Sequence, residues 1–216
     1  MTLEARAFTD FCCNDEAVVR HSDRTAREHW FSCSGTLERL VFTSVVRKTL
    51  TERDLKDGSL AQRLGVGGTD LGVLLMVFAP GHPRLSPADY TVVDVSEEQS
   101  WVRDLLLDAC PPRGEASRLL AGILARRSME GGHLWEDLGL PDRATLTALM
   151  NQFFPDLAAR NVDNMRWKRF FFRQLCEAEG LAHCTSPTCS ACPDVDKCFE
   201  PGSAEAMIAR SKAAPA

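Results

Sequence analysis

With 216 residues, of which 44% are hydrophobic and 25% charged, the chain has ordinary globular composition and enough length to bury a core without staples. A net charge of −5 argues against a dedicated duplex-DNA binder, which carries a basic footprint. No run approaches the ~18 apolar residues of a membrane span, and Met1–Asp10 lack a basic start followed by an apolar core, so the expected location is the cytoplasm, with reduced thiols.

Leu, Ala, Arg and Glu dominate and β-branched runs are short, which predicts an all-α helical bundle. Residues 1–35 read as an N-terminal arm, in which Cys12, Cys13 and Cys33 are small apolar side chains rather than ligands. A helical domain is expected over 36–180. Its first helix, Thr36–Lys48, places Leu37, Leu40, Val41 and Val45 near the helical period, with Leu50 beyond. Thr51-Glu-Arg-Asp54 has the form of a helix start. Leu60–Leu64 leads to the break Gly65-Val-Gly-Gly68, after which Thr69 or Asp70 is placed to cap a helix with its body at Leu71–Phe78. That glycine break lacks the Lys-Ser/Thr of a phosphate loop and follows no clear strand, so it reads as a turn.

His82–Tyr90 is a proline-rich connector, and Thr91–Val95 is a brief strand or an extended entry. Ser96-Glu-Glu-Gln99 is a capping box for a helix through Ala109, stopped by Pro111-Pro112. Ala116–Arg127 is a further helix, ended by Gly131-Gly132. Here the chain echoes itself. Leu60-x3-Leu64-Gly65-Val66 resembles Leu134-x3-Leu138-Gly139-Leu140, and Leu75-Met76 resembles Leu149-Met150. Residues 36–80 and 115–155 therefore read as one helical unit used twice, each burying an apolar face against the other.

Pro141 suits a helix start, since its missing N–H costs nothing there, and the helix runs to Phe154. After the link Asp156–Asn161, the stretch Asn161–Ala178 is the longest helix candidate and the expected central strut. Met165, Trp167, Phe170, Phe171, Phe172 and Leu175 cover most of its circumference, leaving Arg166, Arg169 and Arg173 as one stripe. Such a stripe is either a solvated face or a patch for an anion or a partner.

The most informative stretch follows. Cys184-Thr-Ser-Pro-Thr-Cys189-Ser-Ala-Cys192-Pro-Asp-Val-Asp-Lys-Cys198 has the spacing Cys-x4-Cys-x2-Cys-x5-Cys within 181–200, before a flexible tail at 201–216. Pro187 and Pro193 exclude a single regular helix or strand, so the segment winds as a loop. Nine cysteines, an odd number, suit a full disulfide framework poorly. Thiolate is the soft ligand of iron–sulfur clusters and zinc. Zinc sites usually pair two knuckles across a long spacer, absent here, so the spacing favours iron–sulfur over a zinc-stapled interaction module. Cys110 carries no assigned role. Cys176 and His183, beside the loop, read as packing or as hydrogen-bond partners of ligands.

Asp163-Asn-Met-Arg-Trp-Lys-Arg-Phe-Phe-Phe-Arg-Gln-Leu-Cys-Glu177, followed by the four-cysteine loop and Cys198-Phe199, resembles the nitrogen-fixation NifQ family. The likeness extends to Leu138-Gly-Leu-Pro141 and Phe153-Phe-Pro155. It implies a carrier rather than an enzyme: an iron–sulfur cluster, of [3Fe-4S] or [4Fe-4S] type, that takes up molybdenum and supplies it for the nitrogenase iron–molybdenum cofactor. Cys184, Cys189, Cys192 and Cys198 are the ligands it implies. The implied partners are the nitrogenase iron protein and the cofactor-assembly scaffold, with no nucleic acid and no membrane. A helical iron–sulfur protein of the DNA-repair kind, a zinc module and an electron carrier are the rival readings.

Overall fold

A computed structural model of the chain describes residues 35–53, 55, 58–92, 95–110, 115–180 and 199–211. The arm with Cys12, Cys13 and Cys33, and the segment 181–198 with His183 and the four loop cysteines, lie outside the described residues.

Among the described residues there are ten α-helices, one 3-10 helix and no strand, so the all-α expectation holds. The helices are α1 (Thr36–Thr51), α2 (Leu60–Leu64), α3 (Gly68–Phe78), α4 (Glu97–Asp108), α5 (Glu115–Ser128), α6 (Leu134–Asp137), α7 (Arg143–Phe153), α8 (Pro155–Ala159), α9 (Trp167–Ala178) and α10 (Ala204–Ser211). The 3-10 turn η1 (Pro87–Tyr90) lies between α3 and α4. None of the described helices is long and apolar enough to cross a membrane.

The central element is α5, not the later helix expected from its aromatic content. Every residue from Leu119 to Ala125 is buried, and α4 packs along this helix. Burial of each of Leu119, Leu120, Ile123 and Leu124 is worth roughly 1.5–3 kcal/mol, against about 1 kcal/mol net for one hydrogen bond. Packing therefore dominates capping in setting the bundle. Helix α1 buries Val41, Phe42, Val45, Val46 and Thr49 on one face. Phe42 stacks on Phe78 of α3, with ring centroids 5.0 Å apart. Trp167, Phe170, Phe171 and Phe172 of α9 join the same core.

The two echoing stretches share backbone geometry. Each runs helix, short helix, left-handed glycine, helix: α1–α2–Gly65–α3 with φ +80° at the glycine, and α5–α6–Gly139–α7 with φ +70°. Each third helix ends on a residue of the same conformation before a proline, Ala79 at φ −140°, ψ 54° and Phe154 at φ −140°, ψ 55°. Their packing is reciprocal. A Cβ on Gly65 would strike the Gly122 carbonyl and Arg126 Cβ of α5, and one on Gly139 would come within 3.1 Å of the Ser44 carbonyl and 3.2 Å of Lys48 Cβ of α1. Each glycine turn thus rests on the leading helix of the other stretch.

Several local expectations are corrected. Thr51 ends α1 rather than starting a helix, with Glu52 as its C-cap. Gly67 is the N-cap of α3, with no side-chain cap bond, and Asp70 instead pairs with Arg118 at 2.9 Å. Asp142, one residue after Pro141, caps α7 by accepting from the Thr145 N–H. The Asp156–Asn161 link is largely helical, as α8 with Pro155 in its first turn. Ser96 does cap α4 as expected, accepting from the Gln99 N–H at 3.2 Å.

Candidate metal centre

The cysteine loop departs from α9, so the placement of α9 comes first. The expected continuous helix from Asn161 does not form, because Asn164 adopts φ +49°, which an α-helix cannot contain. Instead the Asn161 side chain clasps Met165, accepting from its N–H at 2.8 Å and donating to its carbonyl at 3.0 Å. Arg143 of α7 donates to the Asn164 and Met165 carbonyls at 2.7 and 3.1 Å. The helix begins only at Trp167.

Lys168 then sets its rotation. Its ammonium donates to the Glu130 and Gly132 carbonyls, at 2.6 and 2.8 Å, and to Asp137 Oδ2 at 2.6 Å. Three acceptors match the three N–H groups of a buried ammonium, which would be costly unpaired. Beyond Leu175 the helix faces outward and ends at Ala178, where Gly180 at φ +72° turns the chain away.

The far flank of the loop returns to the same helix. Phe199, directly after Cys198, is 5% exposed and forms a small cluster with Ala206 and Ala209. The Arg169 guanidinium lies 4.3 Å from the centre of its ring. Arg173 Nη1 donates to Glu205 of α10 at 3.4 Å, while its Nε donates to Glu177 at 2.6 Å. The bond to Glu177 raises the Arg173 pKa, with burial opposing and the Glu177 and Glu205 charges reinforcing. Arg166 Nη1 faces the His133 ring, 3.0 Å from Nδ1.

The arginine stripe is thus engaged within the chain. Arg169 and Arg173 hold the segment after the loop, and Arg166 faces the turn before α6. Sequence reading missed the partners Phe199 and Glu205. The available signal was the aromatic residue immediately after the last cysteine, which needs a surface to cover it.

Cys184, Cys189, Cys192 and Cys198 lie outside the described residues, as does His183. What the described residues supply is a helix, α9, that leads towards the cysteine segment and also contacts Phe199 and Glu205 beyond it. Four cysteines stand in the sequence between α9 and Phe199, and thiolate is the soft ligand that iron–sulfur clusters and zinc take. Among the described residues no group of three His, Cys, Asp or Glu side chains is arranged to hold a metal ion. Cys110, at the end of α4, is a free thiol whose pKa is pushed up by burial, which disfavours the thiolate needed for ligation. Cys176 lies in the last turn of α9.

Known proteins place this arrangement in context. The sequence model of the family described as NifQ matches residues 41–200. The chain is 44% identical over 144 residues to Protein NifQ of Rhodobacter capsulatus, covering 67% of this chain and 79% of that one. It is 38% identical over 171 residues to the Protein NifQ homolog of Sinorhizobium fredii, covering 78% and 74%. It is 47% identical over 103 residues to Protein NifQ of Azotobacter vinelandii, covering 48% and 53%. No solved structure matches. The family match runs from inside α1 to just past the last loop cysteine, spanning both the helical frame and the four-thiol segment it flanks, and the chain belongs to the NifQ family.

Proposed function

We propose that the chain is a molybdenum carrier for nitrogenase. An iron–sulfur cluster held by Cys184, Cys189, Cys192 and Cys198 takes up molybdenum and passes it on for assembly of the iron–molybdenum cofactor. The chain acts as a donor rather than an enzyme and works in the cytoplasm. Its partners are the nitrogenase iron protein and the scaffold on which the cofactor is built.

What supports this reading is the sequence of four cysteines within fifteen residues, Cys184 to Cys198, following α9 and directly preceding Phe199, which α9 holds through Arg169. The soft sulfur set suits iron and molybdenum together. A donor must give up its load as well as capture it, which favours a site on a connecting segment over one in a packed core. Arg169 and Arg173 serve here as anchors for the far flank. Their engagement with Phe199 and Glu205 leaves that role better supported than a molybdate funnel.

The test is metal analysis of anaerobically purified protein, giving molybdenum, iron and zinc per chain, alongside the variant with serine at all four positions. A brown protein with iron, and molybdenum after loading, that turns colourless in the serine variant is the expected result. A colourless chain holding zinc would make it a stapled interaction module. Reversible one-electron cycling with no molybdenum uptake would make it an electron carrier.

A further inference from the structure

A second charged site lies where the ends of α1 and α5 meet α2. Glu52 Oε2 accepts from Arg127 Nη1 at 2.8 Å and from Arg63 Nη2 at 3.2 Å. Lys48 Nζ is 3.4 Å from Glu52 Oε1. Arg127 Nη2 donates to the Thr49 hydroxyl at 2.5 Å. Arg126 pairs with Glu130 at 2.9 Å. Among the described residues these contacts join three cations (Lys48, Arg63, Arg127) to the one carboxylate of Glu52, while Arg126 and Glu130 form a separate balanced pair.

The imbalance sits in the interior. Arg63 is 3% exposed and Arg127 is 1% exposed. Arg63 Nε and Nη1 and Arg127 Nε, all buried, meet no acceptor in the protein. Guanidinium groups stay protonated under any physiological condition, so they cannot relieve this by giving up a proton. Burial nonetheless lowers the Arg63 pKa, outweighing the pull of Glu52, with the Arg127 charge adding to the lowering. Water would fill the open donors but leave the charge. A bound anion answers both, accepting several N–H groups at once through the guanidinium forks. Lys48, which pairs with the same Glu52, has a side chain that is 35% exposed.

We infer that Arg63 and Arg127, beside Glu52, form a binding site for a small inorganic anion. The site needs nothing of the cysteine loop and is separate from the molybdenum reading. The anion completes the charge balance of the junction between α1, α2 and α5, so its loss loosens the helical frame.

The experiment is thermal unfolding of the full chain in gluconate, with chloride, nitrate or sulfate added at fixed ionic strength. A saturable rise in Tm with at least one of these anions is expected, since a ligand of the native state stabilises as its concentration passes Kd. Excluded solutes such as sulfate also raise Tm, but without saturation. Arg63→Met is expected to weaken the apparent anion affinity by about tenfold or more, from the lost charge-assisted donors. Arg118→Met, at the Asp70 pair, should leave it unchanged. Should Arg63→Met fail to fold, chloride-35 NMR on the unaltered chain gives the readout: excess line broadening, abolished by a competing anion. A linear or flat response to all three anions, or an unchanged saturable response in Arg63→Met, overturns the inference.

Discussion

The Arg169 guanidinium sits 4.3 Å from the centre of the Phe199 ring, joining the middle of α9 to the residue that follows the last cysteine of the loop. A cation–π contact of this kind contributes roughly 0.5–2 kcal/mol, according to how dry it is. That is too little to hold the bundle together and enough to bias a loop end. Arg169→Ala is expected to leave Tm nearly unchanged while iron is lost faster to a chelator, with Arg169→Lys in between. Phe170→Ala, in the core one residue away, should instead cost about 3–5 kcal/mol of global stability. Chelator release kinetics and denaturant melts of both variants separate the two roles.

The glycine turns give an ordered series. Gly65→Ala pays about 1–2 kcal/mol for a left-handed backbone, and its new Cβ would meet Arg126 Cβ at 2.6 Å as well as the Gly122 carbonyl. Gly139→Ala has a similar backbone term and a looser contact, 3.1 Å to the Ser44 carbonyl. Gly81→Ala has positive φ and nothing within 4 Å. Losses of Tm are expected in the order Gly65, Gly139, Gly81; equal losses would mean that backbone strain alone matters.

Lys168 should be among the least replaceable polar residues. Lys168→Met keeps the stem but leaves Asp137 and two carbonyls without their ammonium donor. Removing one partner of a buried pair costs about 3–5 kcal/mol. Asp137→Asn, which keeps an oxygen acceptor at that place, should cost less. Denaturant midpoints measure both.

Much of this was legible in the residues, and the misses share a cause. Ser96 was readable as a cap because a capping box is decided within four residues. The echo of Leu60–Val66 in Leu134–Leu140 foretold two stretches of matching geometry. By contrast, the break at Asn164 depends on Arg143, 21 residues earlier, holding the backbone from another helix. The central place of α5 was hidden because its composition is milder than that of α9, and burial on all sides is set by neighbours rather than by its own sequence. The four cysteines were plain in the sequence. That their far flank is tied back to α9 depends on Phe199 and Glu205 meeting arginines 30 and 32 positions away.

Asp89 gives the pH dependence a sign. Burial pushes its carboxyl pKa up, but hydrogen bonds from the Ser86 N–H and hydroxyl and from Arg53, together with the Arg53 charge, outweigh burial and hold it below the usual carboxylate range. The folded pKa is thus below the unfolded one. Its stabilising contribution is complete above the unfolded pKa and lost as pH falls through the folded value. Asp89→Asn should lower Tm at neutral pH and flatten its decline below about pH 5.

Cys110 offers a negative control for metal work. Its half-buried, free thiol has a pKa pushed up by desolvation, so Cys110→Ser should alter neither metal content nor visible spectrum, and alkylation of Cys110 in the folded protein should be slow.

Because each glycine turn rests on the leading helix of the opposite stretch, the two stretches interlock like clasped hands. Neither can be expressed alone without exposing the groove its counterpart filled. Two fragments produced together should instead find each other and restore the complete frame.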